Sequence, residues 1–221
     1  TRAIVETMPA PTRPPTRHHH FETGTYKPSG LFLPDDEYGR ALDALVKGCV
    51  DCLLTNEKGE VLLGLRKHEP AKGTWWYIGG RMRPGETVEE TARRHAKRDI
   101  GIEIDTERFR FVTTSTMNWE FRVQEPAGNG TCDINVVLAA TLTEEEIARK
   151  TMCADEYLDQ KFWSVEDILA VTDEKVILPP IHISAKKMVW SEREDAMYAA
   201  VARGADDAEI ARLARRAYEF A

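Results

Sequence analysis

Apolar segments of short and regular length predict the strands of this chain. CVDCLL (49–54) and VLLGLR (61–66) are joined by the polar segment TNEKGE, a pattern typical of a β-hairpin. A helix is predicted within 31–47, and EPAGNGT, after residue 124, is predicted to be a turn. Further strand candidates are 109–115, 117–123, 133–142 and 160–163.

Residues 86–98 have helical spacing and carry many charges. On a helical wheel, the one apolar stripe consists of Val88, Ala92, His95 and Asp99. We expect this stripe to face inward, which places His95 and Asp99 on the buried side. A buried carboxylate needs a cation or several hydrogen-bond donors. Asp99 could therefore form an internal ion pair with Arg94 or Arg98, at the edge of the same face, or belong to a metal and phosphate site.

The two ends of the chain differ from its middle. Residues 1–30 contain five of the eleven prolines, which favours an irregular arm. SERE reads as a capping box for a helix over 191–203 that Gly204 ends, and a second helix is predicted at about 206–220. The middle predicts an α/β fold with a mixed sheet flanked by helices. The predicted parts are an irregular N-terminal arm (1–30), a domain (31–170) and a helical C-terminal extension (171–221).

Composition and charge exclude several classes of function. The net charge is −7, so we expect no nucleic-acid partner. No apolar run reaches the roughly 20 residues that span a bilayer, and the first residues lack the apolar segment of a secretory signal. The four cysteines are expected to be buried, reduced thiols, which fits a cytoplasmic protein.

The charged helix, with the turn before it, resembles the Nudix box, Gly-x5-Glu-x7-Arg-Glu-Uaa-x-Glu-Glu-x-Gly-Uaa, where Uaa is a large aliphatic residue. The positions that match it are Gly80, Glu86, Arg94, Gly101 and Ile102. In that family, carboxylates of the helix hold a divalent metal against a diphosphate. Here two of the three glutamates that follow the box arginine are replaced by His95 and Arg98, and among these three positions only Asp99 keeps a carboxylate. Arg98 cannot bind a metal ion, so the box is degenerate.

Residues 31–170 are similar to one Nudix branch, the GDP-mannose mannosyl hydrolases. The shared positions are Asp51, Arg66, Pro70, Gly73, Trp76, Gly79, Gly80 and Arg81. The resemblance implies a Nudix-type α/β/α sandwich that cleaves a nucleotide sugar at the sugar carbon and releases a nucleoside diphosphate and a free sugar. It also implies a single Mg²⁺ or Mn²⁺ ion and, because the family often forms dimers, a possible homodimer.

The same resemblance assigns roles to individual residues. It places Arg66 and Arg81 on the diphosphate, where a planar guanidinium meets two phosphate oxygens at once. Asp51 would orient the sugar or an arginine, although a strand residue on a solvated sheet face is an equal alternative. Trp75 and Trp76 are either core residues or a stacking platform for sugar or base.

The loop before the last predicted core strand, ADEYLDQKFW, departs from the branch because it has no histidine to act as general base. Other Nudix enzymes place a glutamate there, so Glu156 is the candidate base and metal ligand, with an exposed acidic loop as the alternative. The expected metal ligands are therefore Asp99, the Gly79 carbonyl and Glu156. Asn135 replaces a tyrosine of the branch, and Asp133 is a weaker candidate ligand.

Three functional hypotheses remain open at the level of sequence. The first is a metal-dependent hydrolase of a GDP-mannose-like nucleotide sugar. The second is a pyrophosphohydrolase that attacks phosphorus, which normally needs the carboxylates that are replaced here. The third is a catalytically degenerate Nudix domain that binds a nucleotide or a partner protein.

Overall fold

The computed structural model describes residues 18–219, so residues 1–17 of the predicted arm lie outside the described residues. Residues 18–30 are exposed and contain no helix or strand. The strands are β1 Lys47–Thr55, β2 Val61–Arg66, β3 Trp75–Trp76, β4 Ile78–Arg81, β5 Arg110–Trp119, β6 Thr131–Thr141 and β7 Tyr157–Trp163. The α-helices are α1 Asp35–Ala44, α2 Val88–Ile100, α3 Glu144–Arg149, α4 Val165–Ala170, α5 Pro179–Ala202 and α6 Asp207–Tyr218.

The seven strands form one mixed sheet, which confirms the predicted fold class. Five of them follow the order β3-β2-β1-β6-β5, while β4 pairs with β1 and β7 pairs with β2. β1 and β6 run parallel, and the other pairs are antiparallel. The predicted hairpin is confirmed, since Leu54 pairs with Leu62 and Thr55 with Val61.

The prediction of separate strands at 109–115 and 117–123 was wrong. One strand, β5, runs without a break from Arg110 to Trp119 and pairs with β6 along this length, with a register shift between Phe111 and Thr113. No glycine or proline interrupts the segment, so the ladder continues through residue 116.

Helix α2 covers one face of the sheet and begins two residues later than predicted. Its N-cap is Thr87, whose hydroxyl accepts from the Glu90 N–H at 3.1 Å, while the Glu90 carboxylate accepts from the Thr87 N–H at 2.8 Å. This capping box fixes the helix start. Gly101 ends the helix in the left-handed conformation, with φ 70°. The apolar side of α2 forms one core with alternate residues of β1: Val88, Ala92, Ala96, Ile100, Val50, Cys52 and Leu54.

Because side chains of a strand alternate between faces, the burial of Val50 and Cys52 in this core turns Asp51 to the opposite face, as predicted. On the side of Asp51, the Tyr77 hydroxyl contacts the first turns of α5. It donates to the Pro180 carbonyl at 2.8 Å and shares a hydrogen bond with the Ser184 hydroxyl at 2.7 Å.

The described chain divides into two compact units, residues 18–185 and 186–219. The helix predicted to start at Ser191 in fact begins at Pro179, since proline suits the first turn of a helix, so SERE lies inside α5 rather than capping it. In the second unit, α6 is capped by Asp206, which accepts from the Glu209 N–H at 2.8 Å. The division at residues 30 and 170 stays a prediction.

Two further expectations concern cysteines and membranes. Cys49 and Cys52 are buried as expected, whereas Cys132 and Cys153 are only half-buried. Among residues 18–219, no helix combines the length and the apolar character needed to cross a bilayer.

Candidate functional site

The polar face of β1 forms the floor of a cleft. Lys47, Cys49 and Asp51 alternate along the strand and therefore point to the same side. The parallel register with β6 places Asp133 beside Lys47 and Asn135 beside Cys49. On the other side of β1, the antiparallel register with β4 places Arg81 opposite Cys49 and Gly79 opposite Asp51. Three strands thus bring polar side chains from distant parts of the sequence to one surface.

The cleft contains most of the residues for which the sequence predicted a substrate role. Its volume is about 140 Å³, below the roughly 300 Å³ at which small-molecule sites begin. A cleft of this size can hold only part of a larger ligand. The lining residues are Lys47, Cys49, Asp51, Arg66, Pro70, Trp76, Gly80, Arg81, Trp119, Asp133 and Asn135.

Two arginines supply the positive charge of the cleft. Arg66, at the end of β2, donates from Nε to the Pro70 carbonyl at 2.8 Å, which fixes the side chain against its own loop. Arg81 is exposed at the end of β4, and its guanidinium carbon lies 4.6 Å from the centre of the Tyr38 ring. Both guanidinium groups can meet an anion bound in the cleft.

Asp51 is the buried carboxyl group of the cleft and is 3% exposed. Burial raises its pKa to about 7; Arg66 acts in the opposite direction, and the charges of Asp133 and Asp99 add to the rise. A carboxyl group with this pKa can accept or donate a hydrogen bond near neutral pH.

The far end of the cleft was not predicted as a unit. Lys47 Nζ lies 2.5 Å from Asp133 Oδ1, and the indole N–H of Trp119 donates to Asp133 Oδ2 at 2.7 Å. The rings of Trp76 and Trp119 meet edge to face at 5.4 Å. The buried Asn135 Oδ1 has no hydrogen-bond partner within residues 18–219, so it can accept one from a ligand. The alternation of polar residues in KGCVDC and TCDIN is the sequence signal that could have indicated this wall.

The predicted metal ligands do come together, but around an arginine. The Arg98 guanidinium donates from Nε to Asp99 Oδ1, reaches the Gly79 carbonyl at 3.3 Å and lies 3.3 Å from Glu156 Oε1. The Tyr157 hydroxyl donates to Asp99 Oδ2 at 3.0 Å. The three oxygens that were expected to bind a divalent ion thus contact the Arg98 guanidinium instead.

The donors present do not fit a metal ion at this position. Asp99 and Glu156 are both paired with a cation of the chain itself. Within residues 18–219, no group of three or more His, Cys, Asp and Glu side chains is arranged to hold a metal ion. The other side chains that hydrogen-bond Asp99 are Tyr157, through its hydroxyl, and Gln160, whose Nε2 donates to the Asp99 carbonyl at 3.3 Å.

Trp75 lies outside the residues that line the cleft. It follows the alternation of β3, so its side chain points away from that of Trp76. Its ring meets that of Trp163 edge to face at 5.4 Å, and Lys161 Nζ lies 5.8 Å from its centre. This environment is that of a packing residue on the rim of the sheet.

The other residues of the box hold the turn before α2 against the helix. Arg94 forms two hydrogen bonds to Glu86, at 2.5 and 2.7 Å, and a third to the Arg81 carbonyl at 2.9 Å. The His95 Nε2 donates to the same carbonyl at 3.1 Å, and burial lowers the pKa of His95 to about 3, so its ring is neutral. Gly80, with φ 150°, allows this approach, because a Cβ there would lie 2.8 Å from His95 Cε1.

Several known proteins are similar to this chain. The Low-salt glycan biosynthesis protein Agl8 of Haloferax volcanii is 35% identical over 75 residues, which cover 34% of this chain and 47% of that relative. The oxidized purine nucleoside triphosphate hydrolase of Danio rerio is 39% identical over 54 residues, which cover 24% of this chain and 35% of that relative. The chain thus spans less than half the length of these two relatives.

The solved structures that are similar to this chain include a MutT protein and a NUDIX domain. The MutT protein from Methanosarcina mazei is 20% identical with a TM-score of 0.49, and the match covers 66% of this chain and 96% of that chain. The NUDIX domain of Shewanella oneidensis NrtR, complexed with ADP ribose, is 18% identical with a TM-score of 0.49, covering 71% and 99%. The family model described as NUDIX domain matches residues 47–181, more than half of the 221 residues, and this chain therefore belongs to the Nudix family.

Proposed function

We propose that this chain hydrolyses a nucleoside diphosphate sugar and releases a nucleoside diphosphate and a free sugar. The observation that carries the proposal is the convergence of Asp51, Arg66, Trp76 and Arg81 on one cleft. A diphosphate requires cationic donors, a sugar or base requires an apolar ring face, and a sugar hydroxyl requires a polar partner. The residues that line the cleft provide all three kinds of group.

Each of these residues is given one role in the proposal. Arg66 and Arg81 bind the diphosphate and stabilise the charge that develops on it as the leaving group. Trp76 packs against the sugar or the base. Asp51 hydrogen-bonds the sugar, and the unpartnered Asn135 Oδ1 accepts from a hydroxyl or amino group of the same ligand.

In the proposed reaction, the oxygen of a water molecule attacks the anomeric carbon while the bond from that carbon to the diphosphate oxygen breaks. Glu156, about a third exposed, accepts the proton of the water. Nudix hydrolases generally use divalent metal ions such as Mg²⁺. The arrangement of Arg98 does not fit an ion at Asp99 and Gly79, so no step of this reaction is assigned to one.

The names of the relatives support a nucleotide as the substrate class, but they do not agree on one particular nucleotide. The relative from Haloferax volcanii is named for glycan biosynthesis, which favours a sugar nucleotide, whereas the relative from Danio rerio is named for purine nucleoside triphosphates. We give weight to the sugar nucleotide because Asp51 and Asn135 offer hydrogen bonds beside the two arginines.

A second candidate function is nucleotide binding without turnover. The pairing of Glu156 with Arg98 favours it, because the guanidinium competes with a water molecule for the same carboxylate. Attack at phosphorus, which would give a nucleoside monophosphate and a sugar phosphate, is a third outcome of the same experiment.

Phosphorus NMR of the protein with GDP-mannose, in EDTA and separately with Mg²⁺ or Mn²⁺, distinguishes these functions. Appearance of GDP supports the proposed reaction. Appearance of GMP with mannose phosphate would move the attack to phosphorus. An unchanged spectrum together with saturable binding of GDP-mannose would support a binding protein instead.

Replacement of Arg81 by alanine is expected to weaken GDP binding by roughly tenfold, because a charge-assisted hydrogen bond contributes about 1.5–3 kcal/mol. Isothermal titration calorimetry measures the change. Arg83→Ala is the matched control, since Arg83 is exposed two residues away and does not line the cleft. Equal affinities of the two variants would remove Arg81 from the diphosphate site.

A further inference from the structure

We infer that Arg98 takes the place of a divalent cation beside the cleft, so that a diphosphate is bound there without a metal ion. The inference rests on the proposed function for the identity of the ligand as a diphosphate. Its basis is the position of the Arg98 guanidinium among the oxygens of Asp99, Gly79 and Glu156.

These three oxygens are of the kind that binds a hard divalent ion, namely two carboxylates and a backbone carbonyl. A guanidinium uses the same oxygens as hydrogen-bond acceptors. The Arg98 side chain contacts all three at once, and each of them comes from a different element: α2, β4 and the loop before β7. The arginine therefore joins the elements that a metal ion would join.

The charge of the cluster also favours arginine over an added ion. The Asp99 side chain is fully buried, and both of its oxygens have partners, one in Arg98 and the other in the Tyr157 hydroxyl. A buried carboxylate needs a nearby cation, and Arg98 is always charged. A divalent ion could enter only by displacing the guanidinium, which would then remain next to a like charge.

The cluster adjoins the cleft along β4. Gly79 pairs with Asp51 across β1 and β4, and the next two residues of β4 line the cleft. The Arg98 side chain is 39% exposed, and a guanidinium has more N–H donors than its three contacts use. The free donors can meet a phosphate oxygen, so Arg98 would be the third cationic group on the diphosphate after Arg66 and Arg81.

A titration with Mn²⁺ alone, in which electron paramagnetic resonance measures the free ion, tests this inference without relying on activity. We expect the unaltered chain to bind no Mn²⁺ at millimolar concentration. Arg98→Glu adds a carboxylate to the oxygens of Asp99, Glu156 and the Gly79 carbonyl. This variant should therefore bind one Mn²⁺ at least about tenfold more tightly than the unaltered chain does. Arg93→Glu is the control, because it makes the same change of charge on the exposed side of α2. Arg98→Gln, which removes the guanidinium and has the length of glutamate without its charge, replaces Arg98→Glu if thermal unfolding shows that the latter is not folded.

Binding of Mn²⁺ by the unaltered chain, lost in Asp99→Asn, would overturn the inference, as would equal weak binding by Arg98→Glu and Arg93→Glu. Calorimetry with GDP gives the second readout: the unaltered chain should bind GDP in EDTA, and a strict requirement for Mn²⁺ would contradict the inference. If GDP does not bind under any condition, the proposed function fails, whereas the Mn²⁺ measurement still decides what occupies the cation position.

Discussion

Replacement of Gly64 by alanine is expected to destabilise the domain by about 3 kcal/mol, at the upper end of the usual cost of overpacking. A Cβ at this position of β2 would lie 2.2 and 2.5 Å from two ring carbons of Tyr157. The Tyr157 ring cannot retreat easily, because the residue is 2% exposed and its hydroxyl is bonded to Asp99. The substitution should therefore also disturb the contacts of Arg98.

Urea denaturation followed by tryptophan fluorescence measures the loss of stability. Gly128→Ala is the matched control, since beyond its chain neighbours no described residue has an atom within 4 Å of the added Cβ, and the residue is in an exposed turn, so we expect little change there. A loss below about 1 kcal/mol for Gly64→Ala would mean that β2 and β7 can separate locally, and the packing of Tyr157 would then not be what holds Asp99.

The sequence was most informative where a periodic pattern faces the core. The stripe that contains His95 and Asp99 was predicted to be buried, and these side chains are 3% and 0% exposed. The orientation of Asp51 followed from its apolar neighbours in the same way. In each case a single element decides which side of a residue is buried, so no knowledge of distant contacts is needed.

The sequence was least informative where the site depends on strand register. Lys47 and Asp133 are far apart in the chain, and only the pairing of β1 with β6 makes them neighbours. Trp119 likewise reaches the far end of the cleft only because β5 pairs with β6. A register that differed by one residue would turn these side chains to the other face, and the sequence of each strand alone does not fix which register forms.

The position of Arg98 could not be read from the box pattern either. The helical wheel offered an ion pair of Arg98 with Asp99, which the structure shows, but it did not indicate the contacts of Arg98 with Gly79 and Glu156. The guanidinium reaches Gly79 and Glu156 because the turn and the loop before β7 both lie next to the end of α2. These are tertiary contacts between segments with no shared sequence signal.

Replacement of Glu86 by glutamine is expected to destabilise the protein by about 2 kcal/mol near pH 7, since it breaks a charged hydrogen-bond network. Glu86 accepts two hydrogen bonds from Arg94, one from the Arg83 N–H and one from the Thr91 hydroxyl. Partial burial on its own would raise the pKa of Glu86, but these hydrogen bonds outweigh it and hold the pKa at about 2, below the ordinary value of 4.5.

The lowered pKa fixes the pH dependence of this effect. Because the folded state binds the proton of Glu86 more weakly than the unfolded state, the stabilisation is complete above pH 4.5 and is lost as the pH falls towards 2. The difference in unfolding free energy between the unaltered chain and Glu86→Gln should therefore shrink over this interval and vanish near its lower end. Urea titrations at several pH values measure it.

Glu103→Gln provides the contrast, because the pKa of Glu103 is also lowered to about 2, by Lys97 and Arg93, but its ion pairs lie at the exposed surface. Such pairs contribute little to stability and are screened by salt, so we expect a smaller effect that salt removes. A loss in Glu86→Gln that stays constant down to pH 2.5, or that salt abolishes as well, would show that the charge of Glu86 does not hold the turn of the box against α2. The lowered pKa would then be no measure of what this glutamate contributes to the fold.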